Sequence, residues 1–456
     1  MTPALAARSW ISWREKSVNR RIFAALITVG SLSLGVKAIA TLKEVIVAQR
    51  FGVSDEMDAF LIAYVLPSFA ITAVAGSFNA ALIPTYVQVR EQQGALEAQR
   101  LLSSVMVWST TLLILVSIVL GVAASQVMGL LAHGFSAEKL SLTRSLFVVL
   151  LPILPLTGVA TIGAAVLNAG ERFAFAAVIP VITPIAIVIS VYWSSGKVGV
   201  YAIAFAILVA AVLECALLVR SLALQGVSLM PRWRPLDTAT KQVIKQYAPM
   251  VAGACVMSST LLVDQSMATM LGPGSVSVLS YGNRIGTLVA GIGAMALSTA
   301  VLPQFSRMVG VADWRGIRHT LKTYVRLTLL ATIPVAIVFI LLSKPLVALL
   351  FERGAFTSTN TAQVASVQSL CALQLPLYIL GILFVRLLSA LKANHILMWG
   401  TLISFTVNII LDLILMKWLG VSGIALSTGI VYLGALGYLS FMALRVLKKA
   451  EDQRCV

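Results

Sequence analysis

Charged residues are scarce in this chain of 456 residues, since Asp, Glu, Lys and Arg together make up only 11% of it. A soluble globular domain carries about 25% charged residues, so the composition excludes an ordinary water-soluble fold. Hydrophobic residues make up 59% of the chain and recur in runs of about 20 residues, the length of a helix that spans a bilayer. The sequence therefore predicts an all-α polytopic membrane protein.

Cysteine and histidine are also rare. No pair among the four cysteines has the spacing of metal ligands or of a disulfide framework, and the three histidines are equally dispersed. There is no glycine-rich nucleotide loop, and no segment outside the predicted spans is long enough for a soluble catalytic domain. We therefore expect a transporter and not an enzyme, with no cofactor, driven by an ion gradient, the membrane potential or the substrate gradient.

Twelve spans are predicted, which places both termini on the same side of the membrane. Loops on that side hold about three times as many Lys and Arg residues as the opposite loops, and this bias marks the cytoplasmic side. The net charge of +17 thus reflects topology, and no nucleic-acid partner is expected. The spans are 22–48, 59–84, 101–125, 145–168, 173–193, 199–220, 243–270, 278–303, 323–343, 362–390, 396–416 and 421–444.

The two halves of the chain resemble each other at an offset of about 220 residues. "VAQRFG" (47–52) aligns with "MATMLG" (267–272), and "LLAHGFS" (130–136) with "LLFERGAF" (349–356). "AALIPTY" (80–86) aligns with "TAVLPQF" (299–305), and "VGVYAIA" (198–204) with "LGVSGIA" (419–425). Six spans per half give both halves the same orientation, which predicts two six-helix lobes related by a pseudo-two-fold axis along the membrane normal.

This duplication predicts the domain organisation. The N-lobe (22–225, helices 1–6) and the C-lobe (243–446, helices 7–12) are joined by a cytoplasmic linker at 226–242. A basic N-terminus (1–21) and a tail (447–456) lie in the cytoplasm. Parallel repeats of this kind are a transporter architecture in which the substrate binds between the lobes.

Several segments resemble the MurJ/MviN lipid II flippases, within the superfamily of multidrug and polysaccharide transporters. They are "KEVIVAQRFGVSDEMDAFLIAYVLPS", "NAALIPTYVQVREQQG", "VLNAGERFAFAAVIPVI", "SVSVLSYGNRIGTLVAGIGAMALSTAVLPQFSR" and "LFERGAFT". The resemblance implies a flippase of the bacterial inner membrane that moves a lipid-linked saccharide to the outer leaflet. It implies a monomer among membrane lipids, with enzymes of cell-envelope glycan synthesis as candidate partners.

The saccharide stays open at this point. Lys37 and Lys43 stand where the resembling proteins have arginines, and "LPSFAITAVAGS" holds no basic residue where they have an Arg pair. The lysine ammonium is a point charge, whereas the arginine guanidinium can donate two hydrogen bonds to one phosphate, so the two are not equivalent phosphate binders. The missing arginines therefore favour an exopolysaccharide or O-antigen unit over lipid II. A cation-coupled drug antiporter and a membrane glycan ligase or polymerase are the alternative functions.

Charged residues inside the first span form the candidate substrate site. Each costs about 2.5–3.5 kcal/mol to insert into the membrane, and charges within spans usually serve a function. Lys37 and Glu44 share a helix face, and Lys43 lies about 100° further round. We interpret Lys37 and Lys43 as a cationic wall for a diphosphate headgroup, together with Arg284 of the eighth span. An internal Lys43–Glu44 salt bridge with snorkelling is the alternative.

Asp58 is the candidate gate residue. It lies at the start of the second span, in "SDEMDAF", and is expected to pair across the lobes with Arg284 or with a lysine. Capping of its own helix is the structural alternative, because carboxylates favour helix N-termini.

Buried oxygen ligands in the C-lobe predict a cation site. Asp264, Asp412 and Thr428 lie on three helices, all roughly 8–12 Å below the outer surface at helical rise, and Asn408 is one turn before Asp412. Oxygen ligands suit hard cations. Some MurJ-type flippases have a sodium site of this composition, which also implies the Ile424 carbonyl. A proton-sharing carboxylate pair or a helix–helix hydrogen bond is the alternative, and no other metal is expected.

Overall fold

The computed structural model describes residues 30–170, 173–194, 198–227 and 238–452, and they form helices without a strand. Eleven helices of this part are long and apolar enough to cross a membrane, and each matches one predicted span. The first predicted span is described from residue 30 onward and is helical over 30–51. The N-terminus 1–21, most of the linker and Cys455 lie outside the described residues.

The helices follow one another with short connections. We number them α1 (30–51), α2 (Asp55–Ala70), α3 (Gly76–Gln93), α4 (Ala95–Val122), α5 (Ala124–Leu131), α6 (Ala137–Leu150), α7 (Ile153–Ala169), α8 (Phe173–Val178), α9 (Ile182–Trp193), α10 (Tyr201–Ala223), α11 (Thr238–Ala268), α12 (Ser275–Gly310), α13 (Trp314–Leu341), α14 (Ser343–Phe351), α15 (Ser358–Ala390), α16 (Asn394–Leu419) and α17 (Val421–Asp452).

The span formed by α2 and α3 contains a π-helical turn at Ile71–Ala75. This turn falls within "LPSFAITAVAGS", a few residues after Pro67, which lies inside α2. A proline interior to a helix removes one backbone hydrogen bond, and π turns accommodate such irregularities and recur at functional sites. The span is therefore locally unwound in the segment where the Arg pair of the resembling proteins is missing.

The chain forms two compact units. The first contains Met1–Val47, Ala70–Val122 and Val149–Val251, and the second contains Ala48–Phe69, Ala123–Val148 and Ala252–Val456. In the first unit α10 packs on α7 and α9, and α4 packs on α3 and α7. In the second unit α15 is central and packs on α12, α13 and α17. The boundaries of the two predicted six-helix lobes stay a prediction.

The structure bears out the internal repeat locally. Two short helices that the sequence analysis missed, α5 and α14, occupy corresponding places just before the aligned "LLAHGFS" and "LLFERGAF" loops. The aligned pair Gly199 and Gly420 has nearly equal backbone angles, with φ of 55° and 57°. Positive φ is accessible to glycine at little cost, which explains why both halves keep glycine at this turn.

Within the second unit, the two halves of the chain also make equivalent backbone contacts. The amide of Ala355 donates to the carbonyl of Gln49 at 2.8 Å. At the corresponding place, a Cβ on Gly134 would lie 2.1 Å from the carbonyl oxygen of Thr269. A Cβ on Gly354 would likewise lie 2.4 Å from the carbonyl oxygen of Gln49, and because residues 134 and 354, like 49 and 269, are 220 positions apart, one glycine contact is the repeat of the other. Glycine permits this close approach because it has no side chain.

Candidate functional site

The carboxylate of Asp58 is completely buried and binds the N-terminus of α12. Its Oδ2 accepts a hydrogen bond from the backbone amide of Gly274 at 2.7 Å. Its Oδ1 accepts from the amide of Ser277 at 2.8 Å and from the Ser277 hydroxyl at 2.6 Å. Gly274 is the N-cap of α12 and has no side chain to fill this role. Asp58 therefore caps a helix that belongs to the other half of the sequence.

Lys139 neutralises this buried carboxylate. Its Nζ lies 2.8 Å from Asp58 Oδ2 and 2.6 Å from Asp55 Oδ1, while its side chain is only 8% exposed. The ammonium also lies 4.1 Å from the centre of the Phe135 ring, a cation–π contact. A charged pair buried in this way is stable only when its remaining hydrogen bonds are satisfied, and the α12 amides satisfy those of Asp58.

The pairing of Asp58 with a charged side chain across the predicted lobes stays a prediction, because its charged partner here is a lysine of the same predicted lobe (22–225) and its contacts with the other half are the α12 amides. The lysine is Lys139, which the sequence analysis did not single out, although lysines are few in the predicted outer loops. Capping of Asp58's own helix is not its role, since Ser54 caps α2 by accepting from the amide of Met57 at 3.2 Å. Arg284 is exposed and lies seven residues beyond Ser277, about 10 Å along α12 at helical rise.

The charged residues of α1 belong to the first unit. Lys43 and Glu44 form the ion pair that was the alternative interpretation of these charges, and Glu44 is buried. Lys37 is partly exposed, and its backbone carbonyl accepts from the hydroxyl of Thr41 at 2.9 Å. The side chain of Lys37 is thus partly accessible, whereas Lys43 already has a carboxylate partner.

The predicted cation ligands come together in the second unit. Asp264 lies against Asp412, Asn408 and Thr428, and the Thr428 hydroxyl is 3.5 Å from Asp264 Oδ2. The same hydroxyl lies 3.2 Å from the carbonyl of Ile424. Helices α11, α16 and α17 therefore bring all five predicted ligands into one cluster, as their matching depth in the sequence indicated.

This cluster contains an unusual number of buried oxygens without a hydrogen-bond partner in the described part of the chain. They are Asp264 Oδ1, Asn408 Oδ1 and both carboxylate oxygens of Asp412. Asn408 and Asp412 are completely buried, and Asp264 is 7% exposed. Buried unpaired carboxylates are costly unless a cation or proton compensates them. The donor set of carboxylates, amide, hydroxyl and carbonyl fits a hard monovalent cation such as sodium.

Over the described residues, no three or more Cys, His, Asp or Glu side chains group as they would around a metal ion. The cluster around Asp264 has two carboxylates and three neutral oxygen donors and is therefore of a different type.

Known proteins resemble this chain over most of its length. A probable lipid II flippase MurJ of Rhizobium meliloti is 29% identical over 407 residues, which cover 87% of this chain and 76% of that protein. The lipid II flippase MurJ of Burkholderia cenocepacia is 28% identical and aligns with 81% of this chain and 72% of its own.

Solved structures agree with the sequence relatives. A structure of lipid II flippase MurJ in an inward closed conformation superposes with a TM-score of 0.80 at 25% identity, covering 93% of this chain and 90% of that one. An inward-facing multidrug MATE-family transporter of the MOP superfamily superposes at 0.76 with 15% identity, covering 93% and 99%, and shows the shared fold alone. The family model for lipid II flippase MurJ matches residues 47–455, so the chain belongs to the MurJ family of lipid II flippases.

Proposed function

We propose that this chain moves lipid II from the cytoplasmic leaflet to the outer leaflet by alternating access. The observation that carries the proposal is the family match across residues 47–455, which includes Asp58, Arg284 and the whole cation cluster. The relatives favour lipid II over the exopolysaccharide or O-antigen unit that the lysines of α1 suggested. The chain is a transporter and not an enzyme, and it is a multi-pass protein of the bacterial inner membrane.

Lys37 and Lys43 of α1 and Arg284 of α12 are our candidates for the residues that bind the diphosphate of the substrate. Lys37 and Arg284 support this role best, because a charge within a span is tolerated mainly where it faces a water-filled cavity or a partner. Lys43 is paired with Glu44, and it reaches a phosphate only when that pair opens. We assign Glu44 the part of a charge partner that holds Lys43 between transport cycles.

Asp58 acts in our proposal as a latch on the predicted outer side. Residues 48–69 meet α12 through Asp58, whose charge Lys139 of residues 123–148 neutralises, so release of substrate on that side requires these contacts to break. Breaking them exposes a carboxylate, an ammonium and two helix amides to water, which solvates them. Water can thus replace the contacts, which makes the latch reversible.

The cation cluster supplies the energetic bias. Sodium bound to Asp264, Asn408, Asp412, Thr428 and the Ile424 carbonyl would neutralise two carboxylates in the second unit and favour one conformational state. One sodium ion that crosses the full membrane potential gains about 2.3 kcal/mol per 100 mV. That energy is large enough to shift a two-state equilibrium about fiftyfold if the ion crosses with each cycle.

Complementation tests the substrate. Expression of the chain should restore growth to a strain depleted of its lipid II flippase, whereas an inactive variant such as Lys37→Glu should not. A parallel strain that lacks an exopolysaccharide flippase provides the contrast. Rescue of the second strain without the first would overturn the lipid II assignment and leave the flippase class intact.

Sodium binding can be measured on purified protein. Sodium should raise the apparent melting temperature, while potassium at equal ionic strength should not. Asp412→Ala should abolish this sodium-dependent shift, and if the variant keeps the shift of the parent protein, the site is elsewhere. A shift that follows pH and ignores sodium would identify a proton-sharing carboxylate pair instead.

Topology and association complete the proposal. Both termini lie in the cytoplasm, as the distribution of Lys and Arg predicts. The chain works as a monomer beside enzymes of cell-envelope glycan synthesis. Reporter fusions to either terminus, active only in the cytoplasm, test the orientation.

A further inference from the structure

A cavity of about 350 Å³ lies within the second unit between α11, α12, α15 and α17. Two members of the cation cluster, Asp264 and Thr428, are part of its wall. The other two side-chain ligands, Asn408 and Asp412, are completely buried and lie behind them. The cavity therefore leads to the cation cluster and ends there.

The mouth of the cavity is lined by exposed residues. On α12, Thr287 lines the cavity and is exposed. Arg284 is also exposed, and it is three residues before Thr287, on the same helix face. An arginine within a span faces a water-filled space or a partner and avoids lipid, so this face of α12 does not face lipid. Met257 and Leu261 of α11 are 73% and 51% exposed and form the opposite rim.

The wall of the cavity favours a cation. Asp264 is the one charged side chain among the described residues that line it, and its Oδ1 has no hydrogen-bond partner in the described part of the chain. Thr260 lies one turn before Asp264 and lines the same wall. The volume holds several waters, because one water occupies about 30 Å³ in the liquid. A cation can thus enter with part of its hydration shell and be drawn toward a negative charge.

Gln374 joins the cavity wall to the ligand helix. Its Nε2 donates to the carbonyl of Ala425 at 2.7 Å, next to Ile424, and a Cβ on Gly429 would touch its Cγ at 3.5 Å. This bond fixes the segment of α17 that carries Ile424 and Thr428. The inner end of the cavity is thereby held open beside the ligands.

We propose that this cavity is an aqueous vestibule through which a hydrated monovalent cation reaches the buried cluster. The cation exchanges its waters first for Asp264 and Thr428, which line the vestibule, and then for Asn408 and Asp412. Gln374 is a positioning residue that keeps Thr428 and the Ile424 carbonyl in place. The inference rests on the cation site proposed above and adds the route by which that site fills.

The first test narrows the vestibule with Ala290→Trp, since Ala290 lines it. The matched control is Ile292→Trp, two residues further along α12, where the side chain is 46% exposed and outside the cavity. Stopped-flow fluorescence follows sodium binding after mixing and sodium release after dilution. Both rates should fall about tenfold in Ala290→Trp while the sodium midpoint stays within about twofold. Unchanged rates with an intact sodium response would overturn the vestibule.

The second test holds even if Ala290→Trp does not fold. Thr260→Cys is placed in a background without the native cysteines and treated with a cationic, water-borne methanethiosulfonate reagent. The introduced thiol should react and sodium should slow the reaction, whereas a thiol at Leu330, 72% exposed on the apolar face of α13, should not react. If the thiol at position 260 does not react while sodium still stabilises the protein, the proposed route is refuted but the cation site is retained. If the thiol reacts and sodium does not slow the reaction, the cation site is refuted but the cavity is shown to be water-filled.

Gln374→Leu tests the positioning role. The sodium midpoint should rise, because α17 loses its tether, and Gln374→Glu should not restore that tether, because an ionised carboxylate accepts hydrogen bonds and cannot donate to the Ala425 carbonyl. Equal sodium midpoints in the parent protein and Gln374→Leu would remove Gln374 from the proposal.

Discussion

Asp58 supplies the N-terminal cap that α12 lacks in its own sequence, for its Oδ1 accepts the amide of Ser277 at 2.8 Å. Ser277 is the third residue of α12, the position whose amide a capping side chain normally binds. The cap comes from α2, more than 200 residues away in the chain, so helix capping here serves a tertiary contact. A contact of this kind forms and breaks as a unit, which suits a latch.

Removal of the Asp58 carboxylate should destabilise the protein strongly. Asp58→Ala leaves Lys139 buried with one remaining partner and strips α12 of its cap, and breaking a buried ion pair costs about 3–5 kcal/mol. Thermal unfolding in detergent should show a melting temperature several degrees lower. Asp55→Ala is the matched control, because the Asp55 side chain is 60% exposed and an exposed pair contributes about 0–1 kcal/mol. Equal losses in the two variants would contradict the assignment of Asp58 as the capping residue.

The repeat-related backbone contacts make a prediction about glycine. In Gly134→Ala the new methyl group would lie 2.1 Å from the carbonyl of Thr269, a distance that forces the two segments apart. The variant should unfold at lower temperature and lose flippase activity in complementation. Gly129→Ala, within α5 and with nothing within 4 Å of its Cβ, should be neutral or stabilising, because alanine favours a helix by about 1 kcal/mol over glycine. A Gly134→Ala variant as stable as Gly129→Ala would show that this contact is not tight in solution.

Charge reversal in α1 should abolish transport without preventing insertion. In Lys37→Glu a partly exposed cation becomes an anion that repels the diphosphate, so complementation should fail while membrane abundance stays near that of the parent. Lys37→Arg keeps the charge and should retain activity. The control Lys344→Glu makes the same charge change at an exposed position of α14. Growth supported by Lys37→Glu would exclude Lys37 from substrate binding.

Periodicity and composition predicted the spans well because each is a long apolar segment, and all eleven spans found in the described residues match predicted ones. The cluster around Asp264 was also recognisable, since polar residues such as Asp264 and Asp412 stand out in apolar runs and their depth follows from helical rise. The short helices α5 and α14 were missed because they continue the apolar composition of their neighbours.

The role of Lys139 could not be deduced from its sequence neighbourhood. It lies 81 positions from Asp58, in a segment that reads as an ordinary outer loop, and only the packing of that segment buries its ammonium. Gln374 is a similar case, because its importance arises from one bond to the Ala425 carbonyl on another helix. Partners set by tertiary packing leave no periodic signal in the sequence.

Arg284 should control how fast the cation site fills. Its positive charge lies at the mouth of the proposed vestibule, one turn from Thr287, and repels an approaching cation. Arg284→Gln should therefore raise the rate of sodium binding several-fold at low ionic strength. The gain should shrink as a sodium-free salt raises ionic strength toward 0.15 M, where charges are screened over about 8 Å.

Arg284→Lys, which retains the charge, is the matched control and should bind sodium at the parent rate. Stopped-flow measurements on the three proteins decide the matter: equal rates for Arg284→Gln and Arg284→Lys would mean that the charge does not face the cation route. A faster rate in Arg284→Gln alone would link substrate and cation, because neutralisation of one arginine would then favour entry of the ion.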